Sequence, residues 1–374
     1  MKIGITCYPT YGGSGVVATE LGKELAQKGH EVHFISYALP FRLNHFMENI
    51  FFHEVEMSSY PLFEFPLYSL ALASKMVEVA KYENLDLLHV HYAIPHASSA
   101  FLAKEMLKGT KDLKVTTTLH GTDITLVGLE PSFLPLVKFS IEASDGVTAV
   151  SRFLKEKTLT NYDINKEIDV IPNFVNTELF RPREDDSFRK NLASKGEKLL
   201  IHTSNFRQVK RVQDTILILE KVVKEFPLVK LLLVGDGPER SDCERLSREL
   251  GLYDKVRFLG KQEALVDILA ASDVFLIPSQ SESFGLAALE AMSCGLPVVS
   301  SSVGGLPELI KHNESGFIAE FGDIDRMSKY VIELLCNDKK YEMFSQNARK
   351  RAVENFDTSK VIPLYEEHYK SILK

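Results

Sequence analysis

The stretch KIGITCYPTYGGSGVVATELGKELAQKGHEVHFIS, residues 2–36, reads as a strand, a glycine-rich loop, a helix and a second strand. In the helical segment Val17, Leu21 and Leu25 repeat at the spacing of one helix face, and Gly29 is a typical helix stop. Short apolar strands that alternate with helices form parallel sheets covered on both faces. The stretch therefore predicts the first unit of a doubly wound α/β domain.

The other half of the chain repeats this layout in KLLIHTSNFRQVKRVQDTILILEKVVKEFPLVKLLLVGDGP, residues 198–238. Further strand-like segments follow in both halves, for example LDLLHVH at 85–91 and VFLIPS at 274–279. We therefore predict two doubly wound domains, residues 1–174 and 175–356. The last stretch, VIPLYEEHYKSILK at 361–374, has the pattern of an amphipathic helix, but periodicity does not assign it to either domain.

Composition narrows the class of protein. The 374 residues are 45% hydrophobic and 25% charged, and the net charge of −7 gives no general attraction to nucleic acid or to anionic membranes. The four cysteines form no CxxC pair, which is typical of reduced thiols. The chain shows no signal-peptide pattern and no apolar run long enough to span a bilayer. These features predict a cytoplasmic protein with no stable membrane anchor and no nucleic-acid partner.

The loops that follow the strands are the candidate ligand sites, because open parallel sheets bind ligands at the carboxyl ends of their strands. Two such sheets that face each other would form one cleft. The candidate loops are residues 12–15, 92–96, 120–123, 204–211, 236–238 and 279–284.

Three of these loops carry groups suited to an anionic ligand. GGSG at 12–15 opens a helix, where free N–H groups attract anions, although a simple tight turn has the same pattern. Its spacing is not GxGxxG, which disfavours a dinucleotide oxidoreductase. NFRQVKR at 205–211 clusters cations that could neutralise a diphosphate or form a solvated loop. His120 at a strand end could bind a ligand or be structural, and the alternating His89 and His91 favour a buried role over a metal site.

The segment SESFGLAALEAMSCGLPVVSS at 281–301 places two carboxylates around an apolar helix predicted to begin near Phe284 or Gly285. Burying Glu290 in such a helix is costly without a partner. The helix N-terminus favours a phosphate, and carboxylates accept hydrogen bonds from vicinal diols. A nucleoside diphosphate sugar has this combination of groups. We therefore hypothesise that Glu290 binds a ribose and Glu282 a hexose.

The same segment resembles the donor-binding signature of the retaining GT-B glycosyltransferases of family 4. The likeness rests on PSQSESFGLAALEAMSCGLPVVSSSVGGLPELI (278–310), VIPNFVNTELF (170–180) and LLLVGDGPE (231–239), and it extends over essentially the whole chain. It implies a GT-B fold of two Rossmann-like doubly wound domains that face a central cleft. In that fold a C-terminal helix, here about residues 357–374, crosses back to the N-terminal domain.

A closer resemblance within the family rests on HVHYAIPHA (89–97), TTLHGTDIT (117–125) and SNFRQVKRVQD (204–214). These segments are similar to those of the enzymes that transfer N-acetylglucosamine from UDP-N-acetylglucosamine to L-malate in bacillithiol biosynthesis. The resemblance implies retention of the α configuration. A different acceptor, such as a lipid or an inositol phosphate, stays open, as does a sugar-nucleotide-binding protein without transfer activity. A homo-oligomer is also left open.

The resemblance implies a catalytic role for His120, Arg207 and Glu282, with His120 near the 6-hydroxyl of the donor sugar. Arg207, with Lys210 or Arg211, would neutralise the diphosphate, and Lys261 and Gln262 would border the uracil. The implied donor-binding residues are Gly13, Ser14, Gly15, Asn205, Arg207, Lys210, Arg211, Lys261, Gln262, Ser283, Phe284, Gly285, Leu286 and Glu290. The implied acceptor-binding residues are Ser14, Tyr92, Thr118 and Thr122.

The mechanism expected from the sequence uses no metal cofactor. No DxD run lies in a candidate loop to hold a divalent ion under the diphosphate. Cationic side chains and a helix terminus can stabilise a leaving phosphate instead. No carboxylate is placed as an obvious covalent nucleophile, so retention suggests attack on the same face of the sugar that the phosphate leaves.

Overall fold

The structure is a computed structural model that describes residues 1–10, 12–43, 46–57, 67–183 and 187–374. It divides into two compact units. Unit 1 comprises Met1–Asn173 and Val361–Lys374, and unit 2 comprises Phe174–Lys360. The prediction of two parallel-sheet α/β domains is confirmed.

Unit 1 is built on a seven-stranded sheet. Its strands are β1 (Lys2–Thr6), β2 (Glu31–Ser36), β3 (Ile50–Glu54), β4 (Leu87–His91), β5 (Lys114–Leu119), β6 (Gly146–Ala149) and β7 (Asp169–Val170). Its helices are α1 (Gly13–Gln27), α2 (Tyr68–Tyr82), α3 (Ser98–Leu107), α4 (Thr122–Thr125), α5 (Leu134–Ala143) and α6 (Arg152–Tyr162). The strand order is β3-β2-β1-β4-β5-β6-β7, and neighbouring strands are parallel.

The last helix of the chain, α14 (Thr358–Ile372), packs most of its length on unit 1. Tyr365 and Tyr369 are fully buried, and the Tyr369 hydroxyl lies 2.7 Å from Nδ1 of His89. His368 lies 2.7 Å from both the Thr116 hydroxyl and a carboxylate oxygen of Asp169. Hydrogen bonds are directional, whereas burial of apolar surface is not. These polar contacts therefore fix the position of the helix on the sheet.

Unit 2 is built on a six-stranded sheet. Its strands are β8 (Lys198–Thr203), β9 (Val229–Val234), β10 (Val256–Gly260), β11 (Val274–Ile277), β12 (Val298–Ser301) and β13 (Gly316–Ala319). Its helices are α7 (Val212–Glu225), α8 (Arg240–Glu249), α9 (Leu265–Ala270), α10 (Leu286–Ser293), α11 (Leu306–Leu309), α12 (Ile324–Cys336) and α13 (Asp338–Phe356). The order is β10-β9-β8-β11-β12-β13, and neighbouring strands are again parallel.

The order of strands reverses once in each sheet, beside β1 in unit 1 and beside β8 in unit 2. The chain runs outward on one side of that strand and then returns to the other side, to β4 or to β11. The loops that leave the two central strands therefore diverge, which opens a crevice at their carboxyl ends. The candidate residues at 13–15 and Tyr92 follow β1 and β4, and those at 205–211 and 282–286 follow β8 and β11, so they lie at these two points.

Two further features bear on the predictions from composition. Within the described ranges, no helix combines the length and the apolar character needed to cross a membrane. The cysteines are all free thiols: Cys7, Cys243 and Cys294 are buried, and Cys336 is exposed.

Candidate functional site

In unit 2 the loops after β8 and β11 are joined by an ion pair. The ammonium of Lys210 lies 2.7 Å from Oε1 of Glu282, and the Ser279 hydroxyl donates to the same oxygen at 2.9 Å. The amide of Gln280 also donates to the carbonyl of Val209 at 2.8 Å. The Glu282 side chain is only 12% exposed, so these contacts hold the carboxylate in a defined position at the strand ends.

The three cations of this loop have different surroundings. Arg211 has a left-handed backbone, with φ 52°, and its guanidinium donates to both carboxylate oxygens of buried Asp214 at 2.9 and 2.8 Å. Lys210 lies with Glu282 instead. Arg207 is exposed, and no acceptor among the described residues binds its guanidinium. Arg207 is therefore the one of these three cations with no carboxylate partner among the described residues, whereas Lys210 pairs with the loop after β11 and Arg211 with the first turn of α7.

Glu290 lies in the fifth position of α10 and is 6% exposed. The helix begins at Leu286, after Gly285 with φ 97°, next to the start predicted near Phe284 or Gly285. Phe284 is buried and packs edge-on against Phe356, with ring centroids 5.6 Å apart. The buried carboxylate of Glu290 and the first N–H groups of the helix are thus carried by one short, firmly packed element.

The loop after β12 supports the Glu282 backbone. The amide of Gly305 donates to the carbonyl of Glu282 at 2.9 Å. A Cβ atom on Gly304 would lie 1.7 Å from that carbonyl oxygen, and Gly304 has φ 59°. Only glycine fits this close approach, so the GG pair at 304–305 sets the position of the Glu282 loop.

Asn205 lies in the same loop as Arg207, and its Oδ1 atom is buried without a hydrogen-bond partner within the described part of the chain. A buried acceptor of this kind is costly unless a ligand or water satisfies it. Lys261 and Gln262 follow β10, where Lys261 is exposed and the Gln262 amide donates to the carbonyl of Leu259 at 2.5 Å. Lys261 and Gln262 thus follow an outer strand of the sheet, whereas Asn205 follows the central strand.

In unit 1 the loops after β1 and β4 also meet. The Tyr92 hydroxyl donates to the Ser14 hydroxyl at 2.8 Å, and Tyr92 has φ 92°. A Cβ atom on Gly15 would lie 2.6 Å from the carbonyl oxygen of Tyr8, so the start of α1 packs against the preceding loop in a way that only glycine permits. The GGSG loop is therefore tied to the end of β4 through Ser14 and Tyr92.

His120 ends a row of three stacked imidazoles. Its Nε2 atom lies 2.7 Å from Nδ1 of His91, whose ring stacks on that of His89 with centroids 4.4 Å apart. Burial, with a smaller contribution from His96, lowers the pKa of His120 to about 3. The side chain is thus neutral near pH 7, and Nδ1 is the nitrogen that does not face His91. A neutral imidazole suits a hydrogen bond to a hydroxyl.

Asp123 is a functional candidate that the sequence analysis did not single out. Its two oxygens accept from the amides of Ala93 and Gly121, each at 2.9 Å, and so join the loops after β4 and β5. Burial raises the pKa of Asp123 to about 6, although these amide donors act in the opposite direction. The sequence could have indicated this role, because Asp123 lies two residues beyond the glycine in LHGTD and Asp side chains in turns often accept hydrogen bonds from nearby backbone amides.

The predicted acceptor residues occupy different environments. Thr118 is fully buried, and its hydroxyl lies 2.7 Å from both His89 and Thr148. Thr122 is exposed at the start of α4. The Thr118 side chain is therefore committed to contacts inside unit 1, and we leave it out of the acceptor site proposed below.

Two family models match the chain. The one described as Glycosyltransferase Family 4 matches residues 11–179, and the one described as Glycosyl transferases group 1 matches residues 183–351. The N-acetyl-alpha-D-glucosaminyl L-malate synthase of Bacillus anthracis is 49% identical over 375 residues, which cover 100% of this chain and 98% of that protein. The chain belongs to glycosyltransferase family 4.

Other relatives of this family 4 glycosyltransferase are more distant. The phosphatidylinositol N-acetylglucosaminyltransferase gpi3 subunit of Schizosaccharomyces pombe is 26% identical over 92% of this chain and 75% of its own length. Among solved structures, Anabaena HepE in complex with UDP-glucose superimposes with a TM-score of 0.84 at 21% identity, covering 99% of this chain and 100% of HepE. A sucrose-phosphate synthase from Thermosynechococcus elongatus gives a TM-score of 0.82 at 22% identity over 100% and 99% of the two chains. The predicted GT-B fold is confirmed.

Proposed function

We propose that this family 4 glycosyltransferase transfers N-acetylglucosamine from UDP-N-acetylglucosamine to the hydroxyl of L-malate, with retention of the α configuration, as the first step of bacillithiol biosynthesis. The observation that carries the proposal is the 49% identity to the N-acetyl-alpha-D-glucosaminyl L-malate synthase of Bacillus anthracis, which extends over 100% of this chain and 98% of that protein. The gpi3 relative, whose name describes a phosphatidylinositol acceptor, is only 26% identical.

In this proposal Arg207 and Lys210 bind the diphosphate. Both follow the central strand β8, and the guanidinium of Arg207 has no acceptor among the described residues. Lys210 also contacts Glu282 at 2.7 Å, so one cation can bridge the phosphates and the carboxylate. Charge on the departing diphosphate grows in the transition state, and preorganised cations stabilise it most there.

The two carboxylates bind the hydroxyl groups of the donor. Glu290 is assigned to the ribose and Glu282 to the hexose, with the amides near Ser283, Phe284 and Gly285 beside the phosphates. Lys261 and Gln262 are assigned to the uracil. The Oδ1 atom of Asn205, for which the described residues offer no hydrogen-bond partner, is a further acceptor suited to a hydroxyl or N–H group of the donor substrate.

The acceptor is assigned to the unit 1 loops that contain Ser14, Tyr92 and Thr122, together with the N–H groups of Gly13 and Gly15. Malate carries two carboxylates, and free N–H groups at a helix start favour anions. His120 is assigned to a hydroxyl of the donor sugar. Because the low pKa of its partly buried imidazole keeps it uncharged at neutral pH, it acts through hydrogen bonding rather than through charge.

The proposed chemistry is attack on the face of the sugar that the phosphate leaves. The bond between the anomeric carbon and the β-phosphate oxygen breaks, and a bond from that carbon to the malate oxygen forms on the same face. The hydroxyl proton passes to the departing diphosphate. Arg207 and Lys210 balance the charge that develops on the diphosphate, so the transfer itself requires no metal.

The test is the release of UDP from UDP-N-acetylglucosamine with L-malate, D-malate, lactate or an inositol phosphate as acceptor. Lactate lacks one carboxylate and would leave buried donors unpaired, which costs about 1–3 kcal/mol, so L-malate should react at least about tenfold faster. D-malate should also be poor, because its hydroxyl leaves the line of attack. A higher kcat/KM with lactate or an inositol phosphate contradicts the acceptor assignment. Release of UDP that no acceptor accelerates contradicts transfer.

The same assay tests the absence of a catalytic metal. Turnover in excess EDTA should stay within about twofold of the control if side-chain cations neutralise the diphosphate. A collapse of turnover that Mg²⁺ or Mn²⁺ restores contradicts this assignment of Arg207 and Lys210.

A further inference from the structure

Two histidines and a glutamate converge in unit 1 at a place that the proposed transfer reaction does not use. One nitrogen of His33, one nitrogen of His53 and a carboxylate oxygen of Glu83 all lie within 4.8 Å of one another. His33 lies on β2, His53 on the edge strand β3, and Glu83 caps the C-terminus of α2. The register explains the meeting: His33 pairs with Phe51, so His53 is one pleat further along the same face.

The two imidazoles are oriented with nitrogen facing nitrogen. Nδ1 of His33 lies 2.9 Å from Nε2 of His53, and the rings are nearly parallel. A tetrahedral ion bound about 2.0–2.1 Å from each nitrogen would place the two nitrogens about 3.3 Å apart. The side chains therefore need to separate by only a few tenths of an ångström to admit an ion.

A carboxylate outside the cluster fixes the tautomer of His33. Its Nε2 atom lies 3.0 Å from Glu31, which also pairs with the ammonium of Lys2 at 2.6 Å. A carboxylate partner requires the proton on Nε2, which leaves the Nδ1 lone pair directed at His53. Histidine ligands in protein metal sites usually donate their other N–H to such a carboxylate.

The surroundings of the cluster suit a held ion with access from solvent. The His33 side chain is 1% exposed and is covered by the ring of Phe51, with centroids 4.9 Å apart. His53 and Glu83 are half-buried, so an ion can enter from their side. The cluster therefore combines one buried side chain with two that solvent can reach, whereas in a pair of surface histidines both side chains are solvated.

We propose that His33, His53 and Glu83 bind a divalent transition-metal ion of the zinc class. Two imidazoles and a carboxylate leave one tetrahedral position for water, and this ligand set suits Zn²⁺ better than Mg²⁺ or Ca²⁺. The ion ties β2, the edge strand β3 and the end of α2 together. It is a stabilising site and not a catalytic one, because Glu83 follows the end of α2 and so lies at the edge of the sheet opposite the loops that carry Ser14, Tyr92 and His120.

The experiment uses the full chain, free of any histidine tag and in a Cys336→Ser background that removes the exposed thiol. After treatment with chelator, the protein is titrated with Zn²⁺, and separately with Co²⁺, whose visible absorption reports tetrahedral geometry. We expect one equivalent to bind, with a rise in the melting temperature. In Glu83→Gln and in His53→Ala, affinity should fall at least about tenfold, because changing only the hydrogen-bond partner of a ligand already costs about 10–100-fold and these variants alter a ligand itself.

Glu105→Gln is the matched control, because Glu105 lies on another helix of unit 1, α3, and its carboxylate pairs with Lys108. It makes the same change of charge and should bind the metal as the parent does. Glu83→Gln keeps the shape of the side chain, so it tests the site even if His53→Ala folds poorly. The proposal is overturned if no stoichiometric binding occurs, or if Glu83→Gln binds as tightly as Glu105→Gln.

Discussion

Lys210 and Arg211 are adjacent in sequence and carry the same charge, yet their contacts differ. Lys210 lies with Glu282, and Arg211 is held by Asp214 in the first turn of α7. Arg211 has the left-handed backbone that ends the loop, so its side chain starts in a different direction. The different contacts of Lys210 and Arg211 therefore follow from their backbone conformations and not from their charge, which is the same.

We expect Lys210→Ala to lower kcat by about 10²-fold, because it removes a cation from the departing diphosphate. Arg211→Ala should change kcat by less than about threefold and should instead lower thermal stability, since it leaves buried Asp214 without its partner. Both effects can be measured with saturating UDP-N-acetylglucosamine and by thermal unfolding. The reverse order of the two kcat losses would assign the diphosphate to Arg211.

His91 is a positioning residue for His120, because its Nδ1 atom holds Nε2 of His120 at 2.7 Å. We expect His91→Leu to lower kcat about tenfold, since it leaves the partly buried nitrogen of His120 unpaired. His91→Asn places an amide near the lost nitrogen and should recover most of the activity. The affinity for UDP, measured by calorimetry, should be the same in both variants. Equal activity in the leucine and asparagine variants would contradict the positioning role.

At the scale of elements, the candidate residues of each unit depend on loops that follow neighbouring strands of one sheet. In unit 2 the ends of β8 and β11 meet through Lys210 and Glu282, and the loop after β12 supports Glu282 through Gly304 and Gly305. The position of the Glu282 carboxylate is therefore set by three strands. A substitution in any of these three loops should therefore shift the Glu282 carboxylate even when it leaves every residue assigned to donor binding in place.

Gly304 and Gly322 provide a matched test of this support. Both have a positive φ, but a Cβ atom on Gly304 would meet the Glu282 carbonyl at 1.7 Å, whereas Gly322 has no atom within 4 Å. Gly322→Ala should cost only about 1 kcal/mol of stability and retain donor affinity. Gly304→Ala should weaken binding of UDP-N-acetylglucosamine at least about tenfold, because the Glu282 loop must move. Equal affinities in the two variants would show that this loop does not position the donor.

At the scale of the whole molecule, buried histidines are unevenly distributed. Burial lowers the pKa of His96 to about 4 and that of His120 to about 3, and it holds the pKa values of His89 and His91 well below the ordinary range. These four lie in unit 1, whereas His202, whose pKa burial lowers to about 4, lies in unit 2. The two units should therefore respond differently to acid.

Proton uptake determines whether these histidines raise or lower the stability of the fold as the pH changes. Between their folded pKa values and the unfolded value of 6.5, the unfolded chain binds more protons, so stability falls as the pH falls below 6.5. Each such histidine contributes about 1.4 kcal/mol per pH unit in that window. Asp123 acts in the opposite sense, because its pKa is raised to about 6 and its folded form gains a proton as the pH falls. Four histidines outweigh this single carboxyl.

We therefore expect unit 1 to lose several kcal/mol of stability between pH 7 and pH 5.5, and unit 2 to lose less. Hydrogen exchange followed by mass spectrometry can report the two units separately, after correction for the intrinsic rate at each pH. Equal losses in the two units, or no loss in unit 1, would mean that the buried histidines do not control acid stability.

The sequence by itself determined the parallel α/β units, the candidate loops and the two carboxylates of the 281–301 segment. Strand, loop and helix patterns depend on neighbours within a few residues, so periodicity and glycine positions were sufficient. The sequence left open whether Lys210 or Arg211 faces the phosphates. The resemblance implied that Thr118 binds the acceptor, and periodicity did not place the last helix.

Only the tertiary structure shows the contacts of these side chains and the place of the last helix, because each depends on residues far apart in the chain. Lys210 meets Glu282 across 72 residues, and the Thr118 hydroxyl meets His89 across 29. His89 meets Tyr369 of the last helix across 280 residues. Such pairs are set by strand order and register, which bring distant loops to one edge of a sheet. The same packing brings His33, His53 and Glu83 together, although no local pattern in the sequence links them.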